Sequence, residues 1–318
     1  QPQWIVDNKQ TRNIAFVSQL GDCVDDASDT AQWIAADAAW DLVENPETTG
    51  LADGIPYGIA VGNHDQSPVG NAGTVSNPSA TTALYNLWFG VGRFQGRSYY
   101  GGSYGLDNDN HYELFSAGGM DFIAIYMEYM PSDSALRQNV LTWADGLLKT
   151  YANRRAIVTS HYLMEGGSSH AFSNQGQATW SALKNNHNLF LMLCGHLDTA
   201  KGRTDTYVDG TGTTTTHTLR SDYQFQPNGG NGWLRIMTFS PASDTIDVTT
   251  FSPTLSQNLT DPDNQFTLSY DMDGSVPFAA INNIPIHVTG YPPSGQQVCT
   301  PWLGLQPNRQ YEWYAMVS

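Results

Sequence analysis

The chain contains 318 residues, of which 40% are hydrophobic, and this is enough apolar material for one large domain and a smaller one. Its 30 Asp and Glu residues outnumber the 14 Lys and Arg residues, so the formal net charge is −16. Because nucleic-acid backbones are bound by clustered cations, this charge argues against a nucleic-acid-binding surface. No apolar run reaches the roughly 18 residues that a membrane-spanning helix requires. The sequence therefore predicts no membrane span.

The first part of the chain predicts two helices and two short strands. Residues 4–8 are typical of a helix, and residues 30–45 carry apolar side chains at the three- and four-residue spacing of a helix with one buried face. The apolar runs at residues 14–17 and 59–61 predict strands. These strands lead into Gly21-Asp22 and Gly62-Asn63-His64-Asp65.

Residues 66–110 have a different composition, since they are rich in Gly, Asn, Ser and Tyr. The stretch is long and has no regular aliphatic pattern, which predicts a loop excursion beside the functional site. Tyr99, Tyr100 and Tyr104 are candidates to stack on a substrate or to hydrogen-bond it. Simple packing is an equally good interpretation of the three side chains.

The middle of the chain alternates between strand and helix patterns, which predicts an α/β core. The strand patterns at residues 156–158 and 189–193 lead into Ser160-His161 and Gly195-His196. Other elements are predicted as a strand at 121–126, helices at 136–151 and around 178–185, and closing antiparallel strands at 213–219, 232–239 and 245–251.

Four predicted strands thus end at an Asp, Asn or His residue. The carboxyl ends of strands in an α/β protein meet at one edge of the sheet, so these side chains are expected to lie together. Divalent ions take carboxylate and amide oxygens together with neutral imidazole. Taken singly, Asp after Gly is an ordinary turn residue, and a lone His is more often structural than a ligand. Their joint order is what predicts a metal site.

The order G-D, G-N-H-D, H and G-H resembles that of the calcineurin-like metallophosphoesterases over about residues 1–270. The resemblance implies an α/β four-layer sandwich at 1–273, with two mixed β-sheets flanked by helices. It also implies a two-metal centre that takes Zn, Mn, Fe or Ca. Asp22 would bridge the metals, Asn63, His161 and His196 would complete one metal shell, and His64 would be the proton donor. Asp65 would orient His64 or sit behind the ligands.

The chain departs from the family pattern at two places. An Asp-x-His or Asp-x-Gln motif, expected some twenty or more residues before Gly21-Asp22, is absent, which suggests a longer precursor. Asp198 stands where the family has a second His after Gly195-His196. It is either an oxygen ligand or a loop carboxylate, and we favour the loop carboxylate. One metal shell is then nearly complete, so we expect one ion in this chain.

Residues 274–318 predict a separate β-rich segment. The spacing of Leu305, Pro307, Tyr311 and Trp313 resembles the tyrosine-corner region of fibronectin type III or immunoglobulin-like modules. Fewer than half of such a module's residues are present, and a β extension of the enzyme domain is the alternative. A partial module leaves strand edges open, so we expect a homo-oligomer or filament contact here.

Composition and cysteine usage bear on the compartment. Abundant Thr, Ser, Asn and Gly with scarce Lys is typical of secreted bacterial proteins. Cys23 directly follows Asp22 and Cys194 directly precedes Gly195-His196, so the two cysteines are expected near the same edge of the sheet. They either form a disulfide or remain two buried thiols.

The sequence predicts a secreted phosphoesterase that hydrolyses phosphate mono- or diesters with a metal-bound hydroxide. The alternative is an extracellular structural or adhesive protein that keeps the fold with an incomplete metal site.

Overall fold

The fold is described for residues 1–68 and 82–272 in the computed structural model. The predictions for residues 274–318, including the immunoglobulin-like segment and its oligomer contact, lie outside these ranges. The helices are α1 Pro2–Asn8, α2 Thr30–Glu44, α3 Pro46–Thr49, α4 Ala83–Phe89, α5 Val91–Phe94, α6 Ala135–Thr150, α7 Asn174–Leu183 and the short α8 Pro227–Gly230, with a 3-10 turn at Pro241–Ser243.

A seven-stranded mixed sheet forms one layer, in the order β3-β4-β5-β6-β7-β9-β8. Neighbouring strands from β5 through β6 and β7 to β9 are parallel, and the remaining pairs are antiparallel. The strands are β3 Tyr100–Ser103, β4 His111–Ala117, β5 Met120–Met127, β6 Arg155–Ser160, β7 Leu189–Cys194, β8 Thr199–Val208 and β9 Thr213–Asp222. Strands β5, β6 and β7 cover the predicted strand segments.

The second β layer differs from the predicted second mixed sheet. Within the described residues it consists of two separate sheets, a parallel pair and a four-stranded antiparallel sheet. The parallel pair is β1 Val17–Gln19 with β2 Tyr57–Ile59, and the antiparallel sheet contains β10 Leu234–Ser240, β11 Thr245–Ser252, β12 Gln257–Leu259 and β13 Phe266–Ser269. Strand β9, predicted as one of three closing antiparallel strands, lies in the seven-stranded sheet, where it is parallel to β7 and antiparallel to β8.

Alternating side chains of the large sheet build two apolar layers, because successive residues of a strand point to opposite faces. On β5, Ile123 and Ile125 pack with α6 and α7, whereas Phe122 and Ala124 face the second β layer. A third cluster joins β2 to helices α2, α4 and α5. The layers are therefore helices α6 and α7, the seven-stranded sheet, the second β layer, and helices α2, α4 and α5. This order confirms the predicted four-layer α/β sandwich.

The predicted loop excursion at residues 66–110 was wrong for a large part of its described length. Helices α4 and α5 and strand β3 lie there. Tyr85 and Phe89 are fully buried in the core beside α2, and Tyr99 packs against Tyr57 with ring centroids 6.3 Å apart. Aromatic side chains supply the apolar surface here, which is why a search for aliphatic periodicity misses it.

Helix α6 confirms the predicted helix at 136–151, and its start is set by Ser134. The Ser134 side chain accepts a hydrogen bond from the backbone N–H of Arg137 at 3.1 Å, which satisfies one free donor of the first turn.

Ser134→Ala should lower the free energy of unfolding by about 1 kcal/mol, the usual value of such a cap. Chemical denaturation followed by circular dichroism measures this. Thr142→Ala within the same helix is the control, because Ala favours helix and should leave stability equal or slightly higher. An equal loss in both variants would contradict the capping role.

Among the described residues, no helix has the length and apolarity needed to cross a bilayer. Cys23 and Cys194 are free cysteines and form no disulfide, and of the two thiols only that of Cys194 is fully buried. Cys194 is fully buried in the cluster under α6 and α7, and Cys23 packs on the cluster around α2.

Candidate metal centre

Four strands of the two β layers bring the candidate ligands to one place. Strands β1 and β2 are parallel neighbours, and β6 and β7 are parallel neighbours in the large sheet. Asp22 follows β1, Asn63 follows β2, His161 follows β6 and His196 follows β7. The side chains converge because all four strands end at the same edge of the sandwich.

His161 stands at the centre of the group. Its Nε2 atom lies 3.1 Å from Asp22 Oδ2, 3.1 Å from Asn63 Oδ1 and 3.1 Å from His196 Nδ1. Its other ring nitrogen, Nδ1, donates a hydrogen bond to the Leu20 carbonyl at 2.7 Å. This bond leaves the Nε2 lone pair directed at the other three side chains, the arrangement by which metal-binding histidines are usually oriented.

These donors fit a divalent cation. A carboxylate oxygen, an amide oxygen and two imidazole nitrogens lie together, and a divalent cation can accept a lone pair from each of them. The ligand atoms of Asp22, His161 and His196 lie within 4.8 Å of one another. Among the described residues, this is the one cluster of three or more His, Cys, Asp or Glu side chains that could hold a metal ion. Asp198 is exposed and lies outside that group.

The charges within the group are strongly coupled. Burial opposes ionisation of Asp22, but His161 and His64 together, through their charges and hydrogen bonds, hold the pKa of Asp22 below its usual value. Burial likewise opposes protonation of His161, but Asp22, the Leu20 carbonyl and Asp65 together raise the pKa of His161. Burial and the charge of His161 lower the pKa of His196 to about 4, so this imidazole is neutral at pH 7 and available as a ligand.

The backbone around the ligands is close-packed and locally strained. Asp22 and His196 have positive φ angles of 56° and 71°, a backbone conformation that residues other than Gly rarely adopt. A Cβ atom on Gly62 would lie 2.0 Å from Asp22 Oδ1 and 2.3 Å from the Asp22 backbone nitrogen. The Gly in the G-N-H-D motif therefore allows the two ligand-bearing loops to touch.

Asp65 links the loop that follows β1 to the loop that follows β2. Its fully buried carboxylate accepts hydrogen bonds from Gly62 N at 2.8 Å and Val24 N at 3.2 Å. Burial, reinforced by the charge of Asp22, raises the pKa of Asp65 to about 7. The backbone bonds place Asp65 behind the ligands, which is one of the two roles implied by the sequence.

His64 stands beside the ligands and not among them. Its backbone N–H donates to Asp22 Oδ1 at 2.9 Å, and its ring Nδ1 bonds to the Asp25 carbonyl at 2.6 Å. The side chain is 33% exposed and lines a cavity of about 450 Å³ that also contacts Asp22 and Gln224. The cavity is therefore bordered both by His64 and by one candidate ligand, Asp22.

Sequence reasoning missed two tyrosines at this site. The ring centroids of Tyr129 and Tyr162 lie 5.1 Å and 4.6 Å from that of His196. Tyr129 follows β5, which runs parallel to β6, so its place after a predicted strand was the available signal. The three tyrosines considered at first lie elsewhere, with Tyr99 in the core and Tyr104 on Trp143.

No protein-family model matches the chain. A curated relative, YvnB of Bacillus subtilis (strain 168), is 31% identical over 337 residues, an alignment that includes 100% of this chain and 24% of the relative. The chain thus spans about a quarter of that relative's length.

Two solved structures are similar to the chain at low identity. GAP50, the anchor in the inner membrane complex of Plasmodium, has a TM-score of 0.45 and 13% identity, with 85% of this chain and 82% of that chain covered. A dimetal phosphatase from Danio rerio has a TM-score of 0.38 and 15% identity, with 85% and 88% covered.

Proposed function

We propose that this chain is a metal-dependent phosphoesterase of the calcineurin-like type, which hydrolyses phosphate mono- or diesters. The observation that carries the proposal is the convergence of Asp22, Asn63, His161 and His196 beside the cavity that His64 lines. These residues are the ones that the motif order singles out. Their contacts depend on long-range folding, so the geometry supports the motif independently.

The four convergent side chains would hold one divalent ion of the zinc, manganese, iron or calcium type. When bound, the ion would lower the pKa of a coordinated water toward neutrality and polarise the phosphoryl oxygens. His64 would donate a proton to the leaving alkoxide, a role that its partial exposure allows. Asp65 would act as a positioning residue, because its two backbone hydrogen bonds fix the loops that carry Asp22 and Asn63.

The alternative of a structural protein with an incomplete metal site has less support. A structural role gives no reason for His64 to border a cavity that also reaches Asp22, one of three clustered ligand side chains. The clustering of Asp22, His161 and His196 supports a metal-binding site over that alternative.

Hydrolysis of p-nitrophenyl phosphate and bis(p-nitrophenyl) phosphate by the purified chain tests the proposal. We expect release of nitrophenol that a chelator abolishes and that Zn²⁺, Mn²⁺, Fe²⁺ or Ca²⁺ restores. Absence of turnover with all four ions, despite binding of one of them, would favour the structural alternative.

Metal analysis provides a separate check. We expect one tightly bound ion per chain, since the described residues bring together one donor set. Native mass spectrometry after dialysis measures the ratio, and His161→Ala should reduce it to zero. Two tightly bound ions in the 318-residue chain would contradict the expectation and make Asp198 a candidate ligand.

A further inference from the structure

Tyr129 occupies a fixed position beside the candidate metal centre. Its ring centroid lies 5.1 Å from that of His196 and 5.9 Å from that of His161. Its backbone N–H donates to the Val61 carbonyl at 2.9 Å, directly before the G-N-H-D motif. The Gln66 side chain donates to the Tyr129 carbonyl at 3.3 Å. The backbone of Tyr129 is therefore tied to the same loop that carries Asn63 and His64.

The hydroxyl of Tyr129 has no hydrogen-bond partner among the described residues, and it is not one of the buried polar atoms that lack a partner. It is consequently open to solvent. A tyrosine hydroxyl ordinarily has a pKa of about 10, so it is a neutral O–H donor at the pH values where phosphate esters are anionic.

Tyr162 is a matched contrast within the same site. Its ring packs on His196 with centroids 4.6 Å apart and lies 6.0 Å from the Tyr129 ring. Its hydroxyl, however, donates to Glu165 Oε2 at 3.0 Å. Two tyrosines therefore contact the same histidine, and only Tyr129 offers an uncommitted donor.

We propose, on the basis of the phosphoesterase function above, that the Tyr129 hydroxyl is a catalytic residue that donates a hydrogen bond to a non-bridging phosphoryl oxygen of the substrate. Negative charge on these oxygens has to be stabilised as the leaving group departs, and a preorganised neutral donor does so without reorganisation. No proton is transferred at Tyr129, so His64 remains the proton donor. The bond would also hold inorganic phosphate, which presents the same oxygens.

Tyr129→Phe tests this because it removes the hydroxyl and keeps the ring on His196. We expect kcat/KM for bis(p-nitrophenyl) phosphate to fall about 10- to 100-fold, the effect of losing one hydrogen bond to a charged group. The dissociation constant of inorganic phosphate for the metal-loaded protein, measured by calorimetry, should rise by a similar factor. Metal content should not change.

Tyr162→Phe is the control, and it should lose less than about threefold in both measurements, since its hydroxyl is bound to Glu165. Equal phosphate affinity in wild type and Tyr129→Phe would overturn the proposal even if no ester proves to be a substrate. Loss of metal from Tyr129→Phe would also overturn it, because the hydroxyl would then serve the ligands. An inactive wild-type protein in which Tyr129→Phe still weakens phosphate binding would instead count against the hydrolytic function and in favour of the oxyanion contact.

Discussion

His64→Gln is expected to lower kcat by about 10²- to 10⁴-fold on an alkyl phosphate ester, the range for loss of a general acid. The variant should keep its metal, because the contact between His64 and Asp22 uses the backbone N–H and not the ring. An ester with a good leaving group, such as a nitrophenyl ester, needs little protonation and should lose much less. Steady-state kinetics on both esters, with metal analysis of the same samples, measures the difference.

His170 supplies a matched control for this variant. Its ring Nδ1 also bonds to a backbone carbonyl, that of Gly202 at 2.7 Å, but the residue is exposed and lies outside the candidate site. His170→Gln should leave both rates unchanged. If His64→Gln reduced the rates on the two esters by equal factors, the acid role would be wrong and a binding role would take its place.

Gly62→Ala is expected to weaken metal binding by about 10- to 100-fold, the range found when a group that positions a metal ligand is mutated. The added Cβ would lie 2.0 Å from Asp22 Oδ1 and 2.3 Å from Asp22 N, so Asp22 or its backbone has to move. Metal affinity measured with a competing chelator, and activity at saturating metal, should both fall.

Gly92→Ala is the control for the added methyl group. A Cβ on Gly92 meets nothing within 4 Å, and the residue lies in α5 away from the ligands. It should bind metal like the wild type. Wild-type metal affinity in Gly62→Ala would contradict the assignment of Asp22 as a ligand, since that carboxylate cannot keep its place beside the new Cβ.

The sequence predicted the regular elements well where the pattern was local. The three- and four-residue spacing of apolar side chains at residues 30–45 predicted helix α2 close to its observed range. The alternating strand and helix patterns after residue 120 did the same for helix α6 and strands β5 to β7. It failed at residues 83–103, where buried aromatic side chains replace aliphatic ones. Tertiary packing decides such segments, because an aromatic residue in a Gly-rich stretch has no local signal for burial.

The sequence by itself determined which residues could form the site. A strand followed by Asp, Asn or His can be recognised within a few residues, and the meeting of parallel strand ends at one edge follows from general geometry. The tertiary structure alone decided how those residues are used. It placed His161 Nε2 at the centre, put Asp65 beneath the loops, left Asp198 exposed and split the second β layer into two sheets. Those features depend on close contacts between residues far apart in the chain, such as Tyr129 against His196, and no local spacing encodes such distances.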